Sequence, residues 1–261
     1  MKKLIIVFII CAILLSSLSA FISADNVATS WYCVRNKSHK QPIADTNLQY
    51  VEEYNGYYID HTHGDNSKDK VIYLTFDAGY ENGNIAKILD VLREEQVSAA
   101  FFILENLILK NTDLVKRMAD EGHIIANHTT KHADVTKYNN INDMKTDLES
   151  LEALCLEKTG YVMPKYFRCP EGKFSKRSMQ FANELGYKTI FWSFAYADWN
   201  NNSQPSSEEA KDKILSNIHN GEIMLLHPTS ETNAKILKDI IKELKSQGFR
   251  FGTLDELTAN Q

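Results

Sequence analysis

VIYLTFDAGYEN, residues 71–82, opens on a nearly continuous apolar and β-branched run, Val71-Ile72-Tyr73-Leu74 with Phe76. That is the pattern of a strand buried on both faces. The run closes on one carboxylate, Asp77, followed by Ala78 and Gly79. A helix pattern follows, because Ile85, Ile88, Leu89 and Leu92 fall at i, i+3, i+4 and i+7. An acid at the C-terminal end of a buried strand stands where α/β folds place their chemistry. Taken alone, such an aspartate is more often a helix cap than a base.

The alternation continues outward from this stretch. Strand patterns cover residues 99–103, 123–126, 166–168, 188–194, 223–226 and 249–251. Helix patterns cover 114–119, 141–159, 175–185 and 208–218, with a last one through Ile236, Leu237, Ile240, Ile241 and Leu244. Gly122, Gly160, Gly186, Gly221 and Gly248 stand at the helix ends, where a left-handed residue stops a helix. About seven β-α units in one run imply a parallel sheet with crossover helices. The class is α/β, and that number of units favours a closed or nearly closed barrel over an open sheet.

The 261 residues carry a net charge of −5 and no long basic run, which excludes a nucleic-acid partner. Residues 1–24 read as a secretory signal: Lys2 and Lys3, an apolar run, then small residues up to Ala24. Leu18 or Ile22 would occupy the −3 position of the two available cleavage sites, so an uncleaved membrane anchor is the alternative. Either way the chain is expected outside the cytoplasm, touching a membrane only through this segment. Residues 25–70 form an irregular N-terminal segment whose Trp31, Tyr32, Tyr54, Tyr57 and Tyr58 fasten it to the body, and 71–258 form the catalytic domain. Beyond Cys11, three cysteines remain (Cys33, Cys155, Cys169), which is neither a disulfide framework nor a cysteine-rich zinc site.

Five polar clusters follow strands, and in a parallel barrel all strand C-termini share one face. The first is Asp77. The second is Asn127-His128-Thr-Thr-Lys-His132, whose histidines four apart would share one face of a helical turn, the spacing that chelates a metal. Two surface histidines are a comparable reading. Imidazole suits zinc and related ions. The third is Arg168-Cys-Pro-Glu-Gly172, the fourth Asp198-Trp199, and the fifth His227, directly after the apolar Ile223-Met-Leu-Leu226. Together they describe an amide hydrolase. A metal on the histidine pair would acidify a water, Asp77 would take its proton, and His227 would protonate the leaving amine. Arg168 would hold Asp77 ionised, and Asp198 would orient His227 and raise its pKa. Trp199 would floor a sugar site.

Thr75-Phe-Asp77, His128-x-x-x-His132, Arg168-x-Pro170-x-Gly172, Asp198-Trp199 and Leu225-x-His227 occur in the order of the NodB-type polysaccharide deacetylases, carbohydrate esterase family four, which the chain resembles from residue 71 to 257. The resemblance implies a distorted (β/α)7-8 barrel and metal-dependent N-deacetylation of a sugar polymer. It also places Tyr80, Pro170 and Gly172 with Trp199 along the substrate. The run FDAGYENG and Phe194-Ala-Tyr-Ala-Asp-Trp199 resemble the delta-lactam-biosynthetic de-N-acetylases of spore-forming bacteria. That likeness implies a peptidoglycan substrate, N-acetylmuramic acid, on the way to muramic delta-lactam in spore cortex. N-acetylglucosamine, and a catalytically silent glycan-binding relative, are the alternatives.

Three departures bear on this. Most of the family has a second aspartate where Ala78 stands, so the third protein ligand to the metal (zinc, or cobalt or manganese) is missing. Cys169 replaces a usual proline close to the site. Glu171 replaces a basic residue and would repel a lactyl carboxylate, with Lys131 or Lys173 as replacement cations.

Overall fold

The computed structural model describes residues 25–259, so the signal or anchor expected over residues 1–24 lies outside the described residues. Eight strands form one sheet: β1 (Gly56–Tyr57), β2 (Lys70–Ala78), β3 (Ala100–Ile103), β4 (Ile124–Asn127), β5 (Tyr166–Phe167), β6 (Lys188–Ile190), β7 (Glu222–Leu226) and β8 (Phe249–Phe251). The order is β7-β2-β3-β4-β5-β6-β1, with β8 paired to the first residues of β2. Every pairing in this sheet is parallel.

The sheet curls until its ends meet. Single bridges join Ile59 to Glu222 and Phe194 to Met224, so the chain after β1 and the chain after β6 both return to β7. The barrel expected from the alternation is therefore present, with a seam of isolated bridges in place of a full ladder. Residues 191–194, expected as the end of a strand, have left the ladder to form that seam.

The helices are α1 (Ile85–Glu94), α2 (Glu105–Lys110), α3 (Thr112–Asp120), α4 (Ile141–Thr159), α5 (Lys176–Glu184), α6 (Ser207–Leu215), α7 (Glu231–Ser246) and α8 (Leu254–Ala259). In α1 the apolar spacing is realised: Ile85, Ile88, Leu89 and Leu92 are fully buried, each contributing about 1.5–3 kcal/mol. Helix α4 begins at a capping box in which Asn140 and Asp143 satisfy each other's backbone N–H groups, and it stops at Gly160 in the left-handed region.

The segment before β2 does more than cover the barrel, because Gly56–Tyr57 completes the sheet beside β6. Trp31 stacks on Phe191 at 4.6 Å, and its indole N–H donates to the carbonyl of Trp192 at 2.8 Å. A short antiparallel pair, Thr29–Ser30 with Lys173–Phe174, holds this segment against the chain that follows Arg168. Cys155 and Cys169 are buried free thiols and Cys33 is half-buried. Among the described residues, no helix is long and apolar enough to cross a membrane.

Candidate active site

Strand alternation divides β2 between two environments. Phe76 and Ala78 face the apolar layer under the helices, where both are fully buried. Thr75 and Asp77 face the barrel interior, where both contact Arg168. Arg168 is fully buried. Its Nη1 donates to Asp77 Oδ1 at 2.8 Å, Nη2 to Thr75 Oγ1 at 2.9 Å, and Nε to the Ile190 carbonyl at 2.8 Å. Its guanidinium also lies 4.1 Å from the ring centre of Phe102.

Burial pushes the Asp77 carboxyl up, but the fields of His128 and Arg168 and the Arg168 hydrogen bond outweigh it, and the net direction is down. Arg168 is charged at every relevant pH, whereas burial pushes His128 down to about 4, so at neutral pH the charges that favour ionised Asp77 are those of Arg168 and, across the cavity, His227.

The two histidines meet in a way their spacing did not foretell. Residues 128–132 are not helical; Thr129 and His132 both take positive φ, 68° and 59°. The turn is bolted in place from several sides. Asn127 Oδ1 accepts from the Thr129 N–H, Thr129 Oγ1 from the Ala133 N–H, and Asp147 Oδ1 from the Thr130 N–H. These bonds offset the strain of a β-branched residue in the left-handed region. The rings end 5.1 Å apart, edge to face. His128 Nδ1 donates to the Arg168 carbonyl at 2.9 Å, which leaves the Nε2 lone pair turned toward Asp77 Oδ2, 3.6 Å away.

A lone pair and a carboxylate oxygen facing each other with no proton between them suit a cation. Neutral imidazole is also the form that ligates metal. Among the described residues no three His, Cys, Asp or Glu side chains form a complete ligand set. His128 and His132 therefore fit as the protein ligands to an ion beside Asp77, the remaining positions falling to water and substrate. Ala78 packs in the apolar layer and does not line the cavity, so a ligand is absent there in both chemistry and direction.

Opposite this pair, His227 Nδ1–H donates to Asp198 Oδ1 at 2.7 Å. Asp198 is fully buried, and its Oδ2 accepts from the His227 backbone N–H at 2.8 Å and from Asn233 Nδ2 at 2.6 Å. Burial alone lowers the His227 pKa; the hydrogen bond and charge of Asp198, with the charge of Asp77, more than reverse this, and the net direction is up. The arrangement favours an ionised carboxylate on one wall and a protonated imidazole on the other, the forms that a general base and a general acid require.

Asp77, Tyr80, His128, His132, Gly172, Trp199 and His227 line one cavity of ≈ 680 Å³ at the strand C-termini. Trp199 is 59% exposed with its ring 6.0 Å from that of His227, and Tyr80 accepts a hydrogen bond from Asn201 Nδ2 at 2.8 Å. Gly172 has φ +62°, and a Cβ there would lie 2.6 Å from the Trp192 ring, so glycine is required for Trp192 to form the wall. Arg168 and Asp198 stand behind the wall as positioning groups. Pro170, expected along the substrate, is buried and is not among the residues lining the cavity; it shapes the turn that carries Gly172. Cys169 is likewise buried in the apolar core, where burial pushes its thiol well up. Lys131 pairs with Glu105 and Lys173 with Asp134, and neither reaches the cavity, whereas Glu171 lines it. The sequence reading missed Trp192 and Asn233, and gave Thr75 only as part of a motif, with no role. Asn233 was detectable as the one amide on the apolar face formed with Ile236, Leu237 and Ile240.

The family model described as polysaccharide deacetylase matches residues 64–190. The chain is 39% identical over 233 residues to the peptidoglycan-N-acetylmuramic acid deacetylase PdaA of Bacillus subtilis, covering 89% of this chain and 86% of that one. The chain belongs to the polysaccharide deacetylases. A solved structure of Bacillus subtilis PdaA, described as a family 4 carbohydrate esterase, superposes on this deacetylase with a TM-score of 0.83 and 38% identity, covering 89% of this chain and 97% of that chain. A peptidoglycan-N-acetylglucosamine deacetylase of Bacillus cereus is 34% identical over 197 residues, covering 73% of this chain and 89% of that protein. As a member of this family the chain is a hydrolase of amide-linked acetyl groups.

Proposed function

We propose that this deacetylase removes the acetyl group from N-acetylmuramic acid in peptidoglycan freed of its peptide, at the cell or spore envelope. The free amine can then attack the lactyl carboxyl of the same sugar and, with loss of water, close the muramic delta-lactam of spore cortex. The observation that carries the reading is the pairing across one cavity of Asp77 held ionised by Arg168 and His227 held protonated by Asp198. Muramic acid is favoured over glucosamine because the similarity to the muramic acid deacetylase runs over more of the chain and at higher identity. N-acetylglucosamine is the second reading, and Glu171 favours it, since an anionic side chain on the cavity wall repels a lactyl carboxylate.

Asp77 accepts the proton of the attacking water, and Arg168 keeps it charged for that task. His128 and His132 would hold a divalent ion, which would supply Lewis acidity for the carbonyl and lower the pKa of the water. His227 presents its Nε2–H to the departing amine nitrogen while Asp198 fixes the Nδ1–H. Trp199 offers an apolar plane to the sugar ring. Incubation with peptide-stripped peptidoglycan, followed by mass spectrometry, tests the reading. Loss of one acetyl from the muramic residue is expected; loss only from glucosamine favours the second reading, and no loss from either sugar contradicts both.

Two further outcomes are expected. Chelation should lower acetate release, and Zn²⁺, Co²⁺ or Mn²⁺ should restore it; indifference to both would remove the metal from the account. Asp198→Asn should lower kcat and move the alkaline limb of the pH–rate profile to lower pH. The sign follows from His227 acting as an acid. Its pKa is raised by Asp198, so it stays protonated to higher pH; without that carboxylate, burial remains and the proton leaves earlier. An unmoved alkaline limb in kcat would show that another group donates the proton.

A further inference from the structure

The N-terminal segment turns an apolar face and a run of cations to solvent. Cys33–Val34 and Ile43–Ala44 form a short antiparallel pair, with Cys33 opposite Ala44 and Val34 opposite Ile43. Alternation sends the first two inward and the second two outward. Ala44 is buried and the Cys33 thiol donates to the Ser193 carbonyl at 3.2 Å, whereas Val34 is 68% exposed and Ile43 72%. Tyr32, next in the chain to Cys33, is 51% exposed. Among the described residues nine large apolar side chains are exposed, and four of them, Val27 included, fall within residues 27–43. Two of the others, Tyr80 and Trp199, belong to the reaction cavity.

We propose that this hairpin seats the protein on an anionic lipid leaflet, laying Val34 and Ile43 into the headgroup boundary while the cations of its loop meet the lipid phosphates. The occupant follows from charge. The whole chain carries −5, yet residues 26–44 hold Arg35, Lys37 and Lys40 and no acid. Lys37 and Lys40 are exposed, and their ammonium groups have no hydrogen bond or ion pair among the described residues. The aspartates that touch the hairpin stand at its foot, Asp45 accepting from Tyr32 Oη at 3.1 Å and Asp65 from the Gln41 N–H at 2.8 Å. A basic loop beside paired aliphatic side chains is the combination that holds a protein to acidic lipid, each part being weak alone. Two aliphatic side chains and a tyrosine are too little apolar surface for the core of a stable protein interface, which takes about 800 Å² from each partner.

The hairpin is braced from below, so it presents this face without first being ordered. Arg35 Nη1 donates to the Ala195 carbonyl at 2.6 Å, His39 Nδ1 to the Ile218 carbonyl at 2.7 Å, and Gln41 Nε2 to the Asp60 carbonyl at 2.7 Å. Asn36 folds the loop back on itself, its Nδ2 donating to the Lys40 carbonyl at 3.0 Å. Ala195 also lines the reaction cavity, so a seated hairpin holds the cavity rim beside the leaflet. The reach is right as well. Residues 16–24 alone separate the apolar run ending at Leu15 from Asp25, at most about 35 Å of extended chain. An anchor there would tether the hairpin to the same surface, and without it the hairpin is the remaining contact.

The test takes the protein with the N-terminus its producing cell leaves on it and adds vesicles of phosphatidylglycerol, vesicles of phosphatidylcholine, or lipid-free cell wall. Amide exchange over residues 32–43 is followed by mass spectrometry, which reports the hairpin whatever residues 1–24 do. Phosphatidylglycerol should slow this exchange, and added salt should reverse the effect. The lipid concentration for half protection should rise about 25-fold in Lys37→Gln with Lys40→Gln, about fivefold for each lysine. It should rise about tenfold or more in Val34→Ser with Ile43→Ser. Both variants should keep the melting temperature of the wild type and its acetate release from peptide-free glycan in solution, since neither pair touches the reaction cavity. Exchange over residues 32–43 that phosphatidylglycerol leaves unchanged overturns the surface. So does equal protection by the two lipids, protection unaltered in both variants, or protection by cell wall alone.

Discussion

Arg168→Met is expected to destabilise the protein by about 3–5 kcal/mol, because it leaves the Asp77 carboxylate facing a buried site without its counter-charge. For a chain of this size that corresponds to a fall in melting temperature of about 6–20 °C. The native guanidinium spends its donors on Asp77, Thr75 and the carbonyls of Ile190 and Phe191. Removing it therefore also strands two carbonyls at the C-terminal end of β6. The double variant Arg168→Met with Asp77→Asn separates the two costs. If the uncompensated charge dominates, the double variant should regain a large part of the loss. Thermal unfolding of the four proteins decides this, and a single variant as stable as the wild type would contradict the account of the pair.

Asp77→Asn is expected to lower kcat for acetate release by about 10²–10⁴-fold, the usual contribution of a general base. The amide is isosteric and its oxygen can still accept from Arg168 Nη1, so the fold should persist. The melting temperature checks this alongside the rate. KM should change little, since the removed group takes a proton and does not grip the sugar. A variant that keeps near-native kcat would show that Asp77 only anchors Arg168, the capping or structural role that its position in the sequence also allowed.

Much of the scaffold was legible because it follows periodicity. The apolar stripe of α1, the terminal Gly160 of α4 and the apolar run of β2 are local signals, and each produces the element it predicts. Strand β1 was not legible. It is two residues, Gly56 and Tyr57, and exists only because β6 is there to pair with it. The end of the aromatic strand failed for the opposite reason: residues 191–194 have strand propensity, but closing the barrel at the Phe194–Met224 bridge takes them out of the ladder.

At the site, the clusters converge as the parallel topology requires, but their local conformations do not follow from spacing. His128 and His132 are four apart, which suits a helix, yet side chains from Asn127 and Asp147 impose a left-handed turn. Pro170 and Cys169 belong to a motif that reaches the cavity only through Glu171 and Gly172. Lys131 and Lys173 are close in sequence to the site but are held by Glu105 and Asp134. The link from Asp198 to Asn233 spans 35 residues, from the loop after β6 to the first turn of α7, which no local pattern reports.

The central claim is that the Asp77 and His227 walls of one cavity carry out deacetylation. It is tested most directly by measuring acetate released from peptide-stripped peptidoglycan by the wild-type protein and by His227→Ala, with Zn²⁺ supplied and folding verified. The account predicts steady acetate release by the wild type and near-complete loss in the variant. No release by the wild type, or undiminished release by His227→Ala, would contradict it.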